Sequence, residues 1–201
     1  MINRIEDILQ FWFGAFPTPY TADVTKADMW FKNGRAYDSE IFIKFGADYD
    51  RAINGELDHW TDSYRGRLAL IILLDQFSRH IHRGTADAFA QDEKAQALCI
   101  DGIGTGDDSK CHAIERSFYY LPLEHAEDIE KQNLSIRAYE QLVLDVPEEY
   151  RKSFVVTLSF AKSHHFVIEK FGRFPELNRI LGRESTAEEL AFIASGKYSF
   201  L

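Results

Sequence analysis

Residues Leu68 to Gly84 read LALIILLDQFSRHIHRG. Leu68 to Leu74 are apolar without a break, and they run straight into Asp, Gln, Arg and His. A helix that is apolar on every side has no face to offer water, so this stretch belongs at the centre of a packed interior. A bilayer span needs roughly 20 apolar residues, and this run is far shorter, which assigns it to a protein core and not to a membrane. At about 100° per residue, Asp75, Gln76, Arg79 and Arg83 would extend the face that Leu68, Ile71 and Ile72 occupy. A polar stripe would then continue an apolar one.

Outward from that helix, composition sets the class. The 201 residues suit one domain spanning the chain, with 45% hydrophobic and 14% aromatic residues to build a large core. Lys and Arg number 23 against 32 Asp and Glu, a formal charge of −9, which opposes the phosphate backbone that dominates nucleic-acid affinity. Nucleic acid is therefore excluded as a partner. The acidity concentrates in residues 85–150, which carry 5 basic and 15 acidic side chains; a solvated face explains this, and a share in a site is the other reading. Cys99 and Cys111 form no CxxC pair, as expected of a reduced, cytoplasmic protein. Glu6 and Asp7 interrupt the first apolar stretch where a signal peptide would need continuity.

Periodicity then gives the elements. Ile5, Ile8, Leu9 and Trp12 recur at helical spacing, with Asn3 as cap and Gly14 as stop. Asp38 to Gly55 reads as a helix burying Phe42, Phe45, Tyr49 and Ala52. The central helix starts near Asp62 or Ser63. Thr85 caps another helix, Gly102 to Ser109 reads as a glycine-rich connector, and His112 to Tyr120 is helical up to Leu121-Pro122, because the residue before proline avoids the helical region. Further helices are expected over 123–131 and 134–144. A long one after Pro147 reaches Phe171 on two stripes: Phe154, Leu158, Ala161 and Ile168, and Phe160, His164, Val167 and Phe171. A short helix runs from Pro175 to Gly182, and Thr186 with Glu189 is a capping box opening a last helix with Leu190 and Ile193 inward. No period-two alternation bounded by hairpin turns is visible. The class is all-α, with roughly nine helices joined mostly by short connections.

Several long motifs occur in order: FWFG at Phe11 to Gly14, Trp30-Phe31, GELDHW at Gly55 to Trp60, LLDQFSRHIHRGTADAFAQD at Leu73 to Asp92, YLPLEHAED at Tyr120 to Asp128, and FGRFPELNRILGREST at Phe171 to Thr186. On these residues the chain resembles the family known as domain of unknown function 924. The resemblance implies a TPR-like α-α superhelix and carries no established activity. The chain departs from the family pattern at Ser78, Arg79 and His80, where Pro-Arg-Asn is usual, at Glu124 to Glu127, where Met-His-Ser-Glu is usual, and at Glu176, where His is usual. The usual proline at 78 implies that the central helix kinks or ends near Phe77.

Three blocks set polar residues beside large apolar ones: Asp75, Gln76, Arg79 and Arg83; His125 and Glu127; and His164, Arg173, Asn178 and Arg179. The plain reading is a structural network, with Asp75 and Arg79 as a helical i, i+4 pair and the later arginines on helix-end carbonyls. The functional reading makes Asp75, Gln76, Arg79, Arg83, His125, Glu127, His164, Arg173 and Arg179 a pocket for a small anionic molecule or a peptide carboxylate, since guanidinium groups resist burial unless paired. His80, His82, His112, His125, His164 and His165 form no HExxH or Glu-x-x-His pattern, so neither a metal nor a cofactor is expected. Three functions stay open: a binding module for such an anion, a hydrolase-like enzyme using His and carboxylate groups as acid and base, and a scaffold for protein partners with an exposed apolar patch.

Overall fold

The computed structural model describes residues 3–196. Among these the chain is all-α. The helices are α1 (Arg4–Phe13), α2 (Lys26–Phe31), α3 (Asp38–Ile53), α4 (Tyr64–Ile71), α5 (Ser78–Ile81), α6 (Asp92–Thr105), α7 (Ala113–Glu124), α8 (Ile129–Asp145), α9 (Arg151–Phe171) and α10 (Ala187–Ala194). A π-helical segment, Ile72–Phe77, joins α4 to α5, so the three form one rod opened by Ser63, whose Oγ accepts from Gly66 N at 3.1 Å. The run Leu68 to Leu74 is completely buried. Its all-round apolar character is met by neighbours on every side, because α1, α3, α6 and α7 all pack against this rod.

Aromatic rings fill the space between α1 and the rod. Trp12 meets Phe77 edge to face at 5.5 Å and Phe118 at 5.7 Å, and Phe45 lies 5.0 Å from Phe77. On the far side α7, α8 and α9 pack in sequence. A second, smaller cluster gathers Val167, Ile168 and Phe174 with Phe171, Leu177 and Phe192.

Several local expectations are corrected. Helix α7 runs through Pro122 to Glu124; a proline in the last turn forfeits only one helical hydrogen bond, and burial of Pro122 and Leu123 offsets it. The expected helices over 123–131 and 134–144 are one helix, α8, capped by Asp128, whose Oδ1 accepts from Glu130 N and Lys131 N. Asn3 makes no capping bond, and Glu6 pairs instead with Arg65. The glycine-rich connector is largely helix: α6 continues through Gly102 and stops at Gly106, which takes the left-handed conformation. Gly102 is required there, since a methyl group would overlap the buried Tyr119 hydroxyl and the Arg67 side chain. Phe42, Phe160, Leu190 and Ile193, read as inward, are exposed.

Candidate functional site

The site is built around the π-helical turn. There the Ser78 amide reaches back five residues to Leu73 O, and such single turns of π-helix are frequent at functional positions. The Asp75 carbonyl accepts from Ser78 Oγ at 3.1 Å and from Arg79 Nη1 at 2.5 Å. The Asp75 side chain is wholly buried. Its carboxylate receives Gln76 Nε2 at 2.6 Å on one oxygen. On the other it meets His125 Nδ1 at 2.8 Å and Arg79 Nη1 at 3.3 Å.

His125 is placed by the end of α7. It is the residue after Glu124, and its amide closes the helix on Leu121 O. The turn carrying it is clamped from α8 by Gln132, whose Nε2 donates to Glu124 O at 2.6 Å and Ala126 O at 2.9 Å. Those two carbonyls would otherwise be orphans of the helix end. One edge of the imidazole is thus held inside on Asp75 while the side chain keeps 22% of its surface accessible. The Nε2 atom of His125 has no hydrogen-bond partner among the described residues.

A second histidine and carboxylate pair lies alongside. His164 Nδ1 is 2.9 Å from Glu124 Oε1 and 2.9 Å from Phe160 O. The His164 and His125 rings are 6.3 Å apart, and Phe174 packs edge to face on His164 at 5.6 Å. The structure therefore gathers Asp75, Gln76, Arg79, His125 and His164.

Arg79 also binds Asp92 through both terminal nitrogens, at 3.0 and 3.1 Å, and its guanidinium lies over the Phe89 ring. Two carboxylates thus face one guanidinium. Burial would push the Asp75 carboxyl up, but Arg79 and His125 together hold it below the usual carboxylate range. Burial raises the Asp92 carboxyl, Arg79 opposes the rise, and the charge on Asp75 adds to it. The cluster has more negative than positive charge when His125 is neutral. That is the reverse of the surplus cation on which anion binding here was expected.

The remaining expected residues lie elsewhere. The rod ends at Ile81, so Arg83 leaves the stripe and binds Asp38 at 2.6 and 2.7 Å, beside His80. Glu127 turns away from His125, accepting Phe174 N at 2.7 Å and both terminal nitrogens of Arg183. Arg173 is matched by Glu189 at 2.7 and 3.0 Å and caps Glu184 O; hydrogen bonds from Arg173 first, then from the Thr186 amide, lower the Glu189 carboxyl to about 2. Asn178 is buried in that same network, and Arg179 is exposed. Through Phe174 N and Arg183, Glu127 fastens the C-terminal segment to the turn between α7 and α8.

Asp92, Glu124 and Gln132 belong to the site without having been singled out. Asp92 and Glu124 stand inside the long motifs, which was their only signal. Gln132 had none, because its partners are backbone carbonyls. Both thiols, Cys99 and Cys111, are pushed up by burial and are poor nucleophiles. Among the described residues no three His, Cys, Asp or Glu side chains converge at metal-ligand spacing, and no helix is long and apolar enough to cross a membrane.

Over residues 8–197 the chain matches the family described as bacterial protein of unknown function, DUF924. It is similar to a solved protein of unknown function from Agrobacterium tumefaciens, 34% identical, with 96% of this chain and 98% of that one covered and a TM-score of 0.80. No curated protein matches it.

Proposed function

The chain belongs to the DUF924 family of bacterial proteins, and from the geometry of His125 and Asp75 we propose that it is an enzyme of hydrolase type working by general acid and base catalysis. One observation carries this reading: a fully buried carboxylate receives His125 Nδ1 at 2.8 Å while the ring's other edge is accessible. An ionised carboxylate has no proton to give, so Nδ1 must be the donor. The neutral ring then presents an unprotonated Nε2 as base.

In this reading Nε2 takes a proton from water as the water oxygen bonds to an acyl carbon. The resulting imidazolium returns that proton to the leaving group as its bond breaks, leaving the enzyme unchanged. Asp75 orients the ring and stabilises the imidazolium, which the excess negative charge of Asp75, Asp92 and Arg79 together also favours. Arg79 and Gln76 position Asp75 and do not touch the reacting atoms. With its guanidinium already matched by two carboxylates, Arg79 is poorly suited to hold an anionic substrate, so neutral or cationic esters and amides are the favoured class.

The test is turnover of a panel of neutral and cationic ester and amide substrates by the wild type and by His125→Gln. General acid and base catalysis contributes about 10²- to 10⁴-fold, and a loss of that order on at least one substrate is expected. Absence of turnover across the panel, or equal rates in the two proteins, would overturn the reading.

A further inference from the structure

A separate cavity of about 580 Å³ opens between α1, the start of α2 and α3, lined by Arg4, Asp7, Phe11, Lys26, Lys44 and Phe45 among others. Its floor is aromatic and its rim is cationic. Phe11 and Phe45 meet edge to face at 5.1 Å. The ammonium groups of Lys26 and Lys44 lie 5.3 and 5.1 Å from the Phe11 ring centre, and the Arg4 guanidinium lies 5.4 Å from that of Phe45.

Three basic side chains converge here on a chain of formal charge −9. Three cations line the cavity, but Arg4 is engaged by Asp48 and, at 3.1 Å, by Asp7, which leaves Lys26 and Lys44 as the available cations. Lys44 is bonded to Glu40 at 2.5 Å, but both side chains are about half exposed, and an exposed pair of this kind is held weakly and exchanges readily. The carboxylate that feels Lys26 is Asp23, which is also bonded to Thr25. Two ammonium groups gathered around one ring repel each other, and an anion between them removes that repulsion. The volume falls in the range of small-molecule sites, which combine an apolar lining with a few placed polar groups.

We propose that this cavity binds a flat aromatic ring bearing one anionic group, a carboxylate or a sulfonate. The ring rests on Phe11 and Phe45, and the anionic group bridges Lys26 and Lys44. The inference does not depend on the acid and base reading of His125, which lies outside this cavity.

The probe is anilinonaphthalene sulfonate, an aromatic anion followed by fluorescence, with phenylnaphthylamine as the same ring system lacking the sulfonate. Wild-type protein is expected to bind the sulfonate saturably at one site and the uncharged compound much more weakly. In Lys26→Ala/Lys44→Ala the Kd for the sulfonate is expected to rise at least tenfold, while His125→Gln leaves it unchanged. Should the double variant lose its helical circular dichroism spectrum, Lys26→Gln alone carries the comparison, with a severalfold rise expected. Absence of saturable binding, equal binding of the uncharged compound, or an unchanged Kd in the folded lysine variants would overturn the proposal.

Discussion

His125 Nδ1 lies 2.8 Å from the carboxylate of Asp75, a side chain wholly withheld from solvent. The two residues come from different elements, one from the π-helical turn of the central rod and the other from the residue that ends α7. Each is held independently: Asp75 by Gln76 and Arg79, and the His125 turn by Gln132. A pair fixed from both sides is preorganised, which is what an orienting carboxylate requires.

Removing Asp75 should be costly. Asp75→Asn removes the charged acceptor of His125 Nδ1 and Gln76 Nε2 in a wholly buried position while Arg79 keeps Asp92, and losing hydrogen bonds to such a charged group costs about 1.5 to 3 kcal/mol. Asp92→Asn should cost markedly less, because burial already raises that carboxyl and Arg79 keeps Asp75. Urea melts of both variants at neutral pH check the order.

The same pair sets an acid limb. The folded-state carboxyl of Asp75 is held below its ordinary value, so its stabilisation is fully present above about pH 4 and is lost as the pH falls through the depressed folded value. Asp92 acts with the opposite sign, since its raised carboxyl is protonated more readily in the folded chain. In melts from pH 7 down to about pH 3 the wild type should lose stability more steeply than Asp75→Asn. Parallel curves would show that Asp75 does not govern this limb.

Leu73 is completely buried in the rod. Leu73→Ala should destabilise by about 2 to 5 kcal/mol, the range for large-to-small core changes. A loss under about 1 kcal/mol in urea titration would contradict the central position of this helix.

How far the sequence discloses this architecture depends on what each signal rests on. The unbroken apolar run of Leu68 to Leu74 reports burial directly, and it is the most deeply buried stretch found. Asp75, Gln76, Arg79, His125 and His164 were visible as polar residues in apolar surroundings. Arg83 and Glu127 were visible for the same reason but point elsewhere, because helix ends and turns decide direction and periodicity does not carry past them. Gln132 was invisible, since a glutamine that serves two backbone carbonyls looks like any surface glutamine. Pro122 misled in the other direction: the avoidance of helix before proline is weak enough for a buried last turn to override it.

Gly102 offers a further check on packing between α6 and α7. Gly102→Ala would set a methyl group against the buried Tyr119 hydroxyl and the Arg67 side chain, and overpacking of this kind costs about 1 to 3 kcal/mol. Gly104, which has open space around it on the same helix, should accept alanine without loss, and comparing the two melting temperatures separates packing from backbone effects.

The claim that Asp75 holds His125 as a base can be measured without knowing a substrate, by nitrogen NMR of the imidazole in its neutral form. The expected spectrum has Nδ1 protonated and Nε2 bare in the wild type, with that preference lost in folded Asp75→Asn. A wild-type ring carrying its proton on Nε2 would contradict the assignment and remove the base from the proposed chemistry.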